Sequence, residues 1–396
     1  MRVSPRLATF LMFVVHGAIF GTWIASIPGT KSSLGATGAA FGLALLAMWL
    51  GALIAQQVTG QLLVRVSSRR VLTVTALVFP LLVVLPVAAP SIGLLALSLF
   101  VLGYVNSSMD MSMNAHGVAL EERGGISIMS GLHAGWSLGG AIGAVGVALA
   151  ITAGIDPVVE VLFAGVALWL VALLATRHLG TGMVRTASAS GIHLPGRAVL
   201  PLAGVLIFVA FVMGGLTEWG GVYLDIGAGA EASVAALAYA AFSVGSFGGR
   251  IVGDRAKDRI GSIALIRWGA VVTAVSIAVF LLIGEPLVAL LGMLTAGVGL
   301  ANALPQIFGA AGRIPPGGPS LSAVFTTMTL VFIVSPAIIG TSSDAIGITG
   351  VFWLFVAASL AIAVIVPRVP VAETNPRFQT RGGDLASAGH DGKAQA

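Results

Sequence analysis

Long apolar stretches recur along the entire chain, separated by short segments that carry charges, proline or glycine. About 20 apolar residues, each rising about 1.5 Å in a helix, cross a hydrocarbon core roughly 30 Å thick. The sequence therefore predicts an all-α membrane protein with twelve transmembrane helices, in the spans 7–29, 38–63, 71–89, 91–118, 126–153, 157–176, 198–224, 232–253, 262–284, 286–310, 319–342 and 348–367.

The composition agrees with that prediction and excludes several functions. Of the 396 residues, 57% are hydrophobic and 9% are charged, which is far from the balance of a soluble domain. Cysteine is absent, so disulfides, thiolate catalysis and cysteine metal sites are excluded. The six histidines show no zinc-motif spacing, and the Gly-x-x-x-x-Gly-Lys-Ser/Thr nucleotide loop does not occur. We expect no cofactor, no metal and no enzyme activity.

The net charge of +5 indicates membrane topology and not nucleic-acid binding, because the basic residues form no single patch. With the N-terminus placed in the cytoplasm, every Lys and Arg except Lys31 falls in a cytoplasmic connection or at the inner end of a span. The outer connections carry acids instead, at Asp156, Asp225, Glu231, Glu285 and Asp344. A miscounted span would destroy this alternation. The pattern predicts a multi-pass protein with both termini in the cytoplasm.

The spans divide into two groups of six. The longest polar break before the tail predicts a first bundle at 1–176, a cytoplasmic linker at 177–197, a second bundle at 198–370 and a disordered tail at 371–396. Trp23 lies late in the first span and Trp219 late in the seventh, and basic turns follow the second and eighth spans. Two related six-helix halves are typical of transporters built from parallel repeats.

Four segments carry a resemblance to a known family: DMSMNAHGVALEERGG at 110–125, IMSGLHAGWSLGGAIGA at 128–144, TEWGGVYL at 217–224 and GRIVGDR at 249–255. In these the chain resembles the major facilitator superfamily, and more narrowly its MosC-like, rhizopine-transport-like branch. The resemblance implies two pseudo-symmetric six-helix bundles that rock around a central cavity. We expect a monomeric permease of the bacterial inner membrane, driven by a proton gradient because no nucleotide-binding loop occurs.

Acids inside apolar spans are the strongest functional candidates, because a charged side chain there costs about 2.5–3.5 kcal/mol on insertion scales. Asp110 and Asn114 share one helix face, and His133 lies at a comparable depth in the next span, so Asp110 and His133 could meet. Glu218 lies towards the outer end of the seventh span. We expect proton coupling through Asp110, Glu218 or His133; the alternatives are a polar clamp for Asp110 and His133, and contact with interfacial water for Glu218.

A second set of residues could bind a small polar solute, such as a sugar or cyclitol. Amides satisfy hydroxyl groups, Pro305 interrupts the tenth span, and by the resemblance Trp219 could stack on a ring. The alternative for each residue is an ordinary interhelical hydrogen bond or an interface anchor. The candidates for substrate binding are His16, Trp23, Asn114, Trp219, Asn302 and Gln306.

The basic turns predict a cytoplasmic gate. The superfamily's turn after the second helix usually reads Gly-x-x-x-Asp-Arg, but Val64 stands where the acid belongs. The second half keeps an acid in Gly-Asp-Arg, so the resemblance places the main gate acid there. The expected gate residues are Arg65, Arg250, Asp254 and Arg255.

Export of amphipathic drugs or metabolites is the alternative transport function. Glycines at 131, 135, 139 and 140 resemble an element of proton-drug antiporters, although Trp136 replaces its proline. The four-residue spacing of glycines 131, 135, 139 and 143 also predicts close helix packing. A membrane enzyme would need a clustered nucleophile and base, and a sensor would need a soluble output domain; the sequence indicates neither.

Overall fold

The computed structural model describes residues 4–125, 128–182, 195–315 and 317–369, and within them the twelve predicted membrane helices are present. We number them α1 to α12 in chain order. They are α1 Pro5–Ser33, α2 Gly38–Arg65, α3 Ser68–Val87, α4 Ile92–Gly124, α5 Met129–Thr152, α6 Pro157–Thr176, α7 Leu200–Val222, α8 Ala232–Ala236 with Ala238–Ile260, α9 Ser262–Ile283, α10 Pro286–Leu300 with Ala303–Arg313, α11 317–346 and α12 348–365.

The last two helices follow one another without a loop. Within Gly317–Ile365, Gly347 has φ +74° and ψ 158°, which are not helical angles and break the helix there. The apolar segment of 50 residues, Pro319–Arg368, would be about 75 Å long as one helix, more than twice the hydrocarbon thickness. The break at Gly347 therefore turns one long helix into two membrane crossings.

Some helices extend beyond the predicted apolar spans. α4 continues to Gly124 and α8 to Ile260, through charged residues that end the hydrophobic run but not the helix. The reason is that a helix can leave the hydrocarbon without unwinding, since its backbone hydrogen bonds are internal. Hydropathy located the membrane crossings, and the helix ends depend on capping: Gly125, with φ +63°, ends α4.

The two ends of the helix bundle differ in charge. One end, which we call the basic end, holds the termini of helices that carry Arg65, Arg123, Arg255 and Arg313. The opposite end, the acidic end, holds Asp156, Asp225, Glu231, Glu285 and Asp344.

Glycine allows backbones to touch within the first half. A Cβ atom at Gly139 of α5 would lie 2.1 Å from the carbonyl oxygen of Val14, and one at Gly21 of α1 would lie 2.1 Å from the oxygen of Gly140. Gly143 meets α1 in the same way, whereas Gly131 has no atom within 4 Å. The expected packing role therefore holds for Gly139 and Gly143 but not for Gly131, because helix association in lipid depends on close approach.

The two halves repeat one another in their packing. Gly51 of α2 abuts the backbone of α4 at Phe100, and Gly103 of α4 abuts α2 at Met48. The same reciprocal contact joins α8 and α10 through Gly245 and Gly297, each 194 residues later, from 51 to 245 and from 103 to 297. One constant offset for both partners indicates a duplicated six-helix unit.

The halves meet along two helix pairs, α2 with α11 and α5 with α8. At the acidic end of the first pair, a Cβ at Gly340 would lie 2.1 Å from the oxygen of Gly38. On the second pair, a Cβ at Gly140 would lie 3.2 Å from Tyr239 Oη and 3.4 Å from Ser243 Oγ. α1 also contacts α7 and α8, and α7 contacts α2, so Glu218 and Arg250 lie beside the contacts between the halves.

We expect Gly139→Val to destabilise the protein, because the new side chain would overlap the α1 backbone. Overpacking of this kind costs about 1–3 kcal/mol. Gly131→Val on the same helix is the matched control, since it enters open space. Thermal unfolding of the purified protein in detergent measures both. Equal midpoints for the two variants would show that this contact is not limiting for stability.

Candidate functional site

A buried carboxylate bridges the two halves near the middle of the bundle. Glu218 of α7 is 4% exposed, and its Oε1 accepts a hydrogen bond of 2.7 Å from Nε1 of Trp49 on α2. The Trp49 ring stacks on Phe332 of α11, with centroids 4.6 Å apart and planes at 16°. Trp49 lies about 17 Å along α2 from the acidic end, which is near mid-membrane.

Two glycines one turn before Glu218 bring the neighbouring aromatic rings close to α7. A Cβ at Gly214 would lie 3.1 Å from the Phe332 ring, and one at Gly215 would lie 2.2 Å from the Phe355 ring. Because these positions lack side chains, α11 and α12 pack directly against α7. Phe332 can then support the indole that binds Glu218.

Asp110 and Asn114 pair within α4, as their spacing predicted. Asn114 Nδ2 donates to the Asp110 carbonyl at 2.8 Å and to Asp110 Oδ1 at 3.1 Å. His133 of α5 packs edge-on against Phe13, with centroids 5.4 Å apart, and its side chain is exposed. No hydrogen bond joins Asp110 to His133 in the described part of the chain.

His16 is part of a hydrogen-bond chain inside the first half. Its Nδ1 accepts from Nε1 of Trp136 at 2.8 Å, so its Nε2 carries the proton and donates to the Asn106 carbonyl at 3.1 Å. The ring also lies 5.3 Å from that of Phe79, and the residue is 3% exposed. His16 joins α1 to α3, α4 and α5.

The two tryptophans singled out by sequence repetition are both fully buried. Trp23 and Trp219 are 0% exposed, and within the described residues neither indole nitrogen has a hydrogen-bond partner. Trp219 meets the Phe41 ring edge-on at 6.3 Å, which places it against α2 of the first half. Both tryptophans are therefore core residues whose indole N–H has no hydrogen-bond acceptor among the described residues.

The amides of the tenth helix hold it to its neighbours. α10 is interrupted at residues 301–302, just before Pro305, which cannot donate a helical hydrogen bond. Asn302 Nδ2 donates to the Gly249 carbonyl at 2.9 Å, and Gln306 Oε1 accepts from Ser262 Oγ at 2.9 Å. The break is therefore tied to α8 and α9.

Among the expected gate residues, Arg250 reaches across to the other half. It is half-buried, and its guanidinium donates to Ser137 Oγ of α5 at 3.1 Å. Arg65 and Arg255 are exposed at the basic end. The side chain of Asp254 lies outside the described residues.

At the acidic end, a carboxylate of the second half caps a helix of the first. Asp344, at the end of α11, accepts from the backbone nitrogens of Gly38 at 2.7 Å and Ala39 at 2.8 Å. These are N–H groups that the start of α2 leaves without helical partners, and the helix dipole favours an anion there. We call this contact the outer latch.

Sequence reasoning missed three of these residues: Trp49, Ser137 and Phe332. Trp49 and Glu218 are 169 positions apart, and no local pattern links them. Asp344 was identified only as an outer acid. Nothing in the described residues forms a cluster of His, Cys, Asp or Glu suited to a metal ion.

Two related halves of six membrane helices, joined by a few polar contacts, define a transporter built from parallel repeats. The chain belongs to the Major Facilitator Superfamily, whose sequence profile matches residues 8–319. An uncharacterized MFS-type transporter of Yersinia pestis is 29% identical over 370 residues, covering 90% of this chain and 95% of that protein. The membrane protein MosC of Rhizobium meliloti is also 29% identical over 370 residues, covering 90% and 88%.

Solved structures show the same fold at low identity. The nucleoside transporter NupG superposes with a TM-score of 0.71 at 14% identity, over 92% of this chain and 98% of that one. The xylose transporter XylE from E. coli, in a partially occluded inward-open conformation, gives 0.70 at 14% identity, over 93% and 98%. The predicted twelve-helix fold of this superfamily and the likeness to MosC are confirmed.

We expect Asp344→Ala to weaken the outer latch and to open the acidic end. Because cysteine is absent, spin labels can be placed at Ser33 and Ile346, two exposed positions on opposite halves. Loss of charge-assisted hydrogen bonds worth roughly 1 kcal/mol at an exposed site should raise the longer-distance population about fivefold.

Asp156→Ala is the matched control, since Asp156 caps only its own helix through Val158 and Val159. It should leave the distance distribution unchanged. If Asp344→Ala behaves like this control, the latch does not hold the two halves together.

Proposed function

We propose that the protein is a proton-coupled secondary transporter for a small polar, sugar- or cyclitol-like solute, and that it works by alternating access. The observation that carries this proposal is the hydrogen bond between Glu218 and Trp49 across the two halves. An ionisable group within the membrane is costly and is by default a functional candidate. Here that group also lies where the halves must separate.

The proton state of Glu218 would bias the contact between the halves. An ionised carboxylate accepts a charge-assisted hydrogen bond from the indole, and this bond is roughly twice as strong as one to a neutral acceptor. Protonation would therefore weaken the Trp49 contact and favour separation of α2 from α7. A proton can drive the conformational change only through such a difference in free energy. Asp110 and His133 remain further coupling candidates.

The substrate class rests on the amides and on the relatives. The named substrates of the similar structures, a nucleoside and xylose, carry hydroxyl groups. We propose that Asn114 and Asn302, which are half-buried, make early contacts with such groups. The buried members of the proposed set, which would bind after rearrangement of the halves, are His16, Trp23, Trp219 and Gln306.

The positive-inside rule supports a cytoplasmic basic end, with both termini inside and the gate residues Arg65, Arg250, Asp254 and Arg255 at the cytoplasmic side. The outer latch then closes the external side. We propose the bundle boundaries 1–176 and 198–370 with the linker and tail as predicted, and a monomeric protein in the bacterial inner membrane. Export of amphipathic compounds is the alternative function. The direction in which a proton gradient drives transport would distinguish export from uptake.

We expect Glu218→Gln to abolish proton-driven accumulation while substrate exchange continues. Purified protein in liposomes, given a pH gradient and labelled xylose, uridine or myo-inositol, measures accumulation, and counterflow without a gradient measures exchange. Glu160→Gln, in the first turn of α6, is the matched control and should keep both activities. Undiminished accumulation in Glu218→Gln would remove this residue from the coupling mechanism.

We also expect Trp49→Phe to reduce gradient-driven accumulation, because it keeps a ring against Phe332 but removes the indole donor. Trp268→Phe makes the same change at the surface of the bundle, where the side chain is 59% exposed, and should leave accumulation unchanged. An effect of equal size at both positions would contradict a specific bridge to Glu218.

A further inference from the structure

The contact between α5 and α8 is a polar seam between the two halves. On α8, Tyr239, Ser243 and Arg250 share a face, since they are spaced by four and seven residues. On α5, His133, Ser137 and Gly140 share the opposing face, spaced by four and three. Hydroxyls at a helix contact in lipid often serve as hydrogen-bonding groups between the helices, but a charge within an apolar span is by default a functional candidate, so the charged end of the seam points to a ligand.

The seam is closed at one end and accessible at the other. Tyr239, Ser243 and Ser137 are 3%, 3% and 2% exposed, and Gly140 lies against the first two. Arg250 is half-buried and His133 is exposed, on the side that faces the basic end. The charged groups of the seam are therefore the ones that a solute reaches first.

Arg250 is a cation inside the membrane whose described partner is neutral. It lies three residues within the apolar span Ala232–Gly253, and its hydrogen bond goes to the hydroxyl of Ser137. A guanidinium has five N–H donors in a planar fork that fits a carboxylate or phosphate through two parallel hydrogen bonds. His133 lies one helical turn before Ser137 on the same face of α5 and adds a second nitrogen donor or acceptor.

We propose that Arg250, with Ser137 and His133, forms a subsite for the carboxylate of a hydroxylated acid, so that the transported solute is a sugar acid. This inference rests on the proposed transport function and narrows its substrate class. The carboxylate binds the guanidinium fork, and the hydroxyls of the solute reach Ser137 and, once the seam opens, Ser243 and Tyr239. The bound acid also replaces the Arg250 contact with Ser137, which connects substrate binding to separation of α5 from α8.

Matched pairs of solutes test the subsite in the full-length protein in detergent. The pairs are glucuronate with glucose, galacturonate with galactose, and gluconate with sorbitol, with the dissociation constant of each measured by calorimetry. At least one acid should bind about tenfold or more tightly than its neutral partner, as expected of a charge-assisted pair. Equal affinity within all three pairs would overturn the proposal.

Substitutions then test whether Arg250 causes the preference for the acid over its neutral partner. Arg250→Met keeps the chain length and should lower the ratio of acid to neutral-sugar affinity, measured within the same variant, to about one; Arg250→Lys keeps the charge and should retain part of the preference. Arg267→Met, an exposed arginine on α9, is the matched control. A preference that survives Arg250→Met would overturn the subsite.

Transport separates failure of this subsite from failure of the proposed function. In liposomes, uptake of neutral sugars but not of their acids would reject the subsite alone. Absence of uptake for all six solutes, with no acid preference in binding, would reject both.

Discussion

The structure depends on direct contact between helix backbones, because the lipid bilayer provides almost no hydrophobic driving force for helices to associate. Lipid chains are as apolar as leucine, so helices in a bilayer associate through close packing and polar contacts. Glycine provides that packing between α1 and α5, α2 and α4, and α8 and α10, at positions where a Cβ would overlap a carbonyl oxygen. Each half can therefore move as a packed unit, because its helices interlock at the level of the backbone.

The contacts between the halves differ from those within each half. Beside glycine packing, they include polar bridges at three levels: Asp344 on the start of α2, Glu218 on Trp49, and Arg250 on Ser137. These hydrogen bonds between the halves can break one at a time, and in the proposed function the Glu218 bond responds to a proton and the Arg250 bond to a solute. Two rigid units joined by a few breakable bonds have the physical character that alternating access requires.

Several groups predicted to act on a substrate hold helices together in this conformation. His16 is used at both ring nitrogens, Asn302 binds the α8 backbone, and Gln306 binds Ser262. A polar side chain in an apolar span must satisfy its hydrogen bonds somewhere, and the nearest helix is the usual place. A polar residue within a span can therefore be identified from the sequence as one that needs a hydrogen-bond partner. Only the structure shows whether that partner lies in the other half or in the same half.

The sequence alone determined the twelve crossings, because a run of about 20 apolar residues has one stable arrangement in a bilayer. It also determined the Asp110–Asn114 pair, since residues four apart meet on a helix. Only the tertiary structure decided that Glu218 meets Trp49 and that Asp344 caps α2. Those partners lie 169 and about 306 positions apart, and their pairing depends on how two separately packed halves dock, which no local spacing encodes.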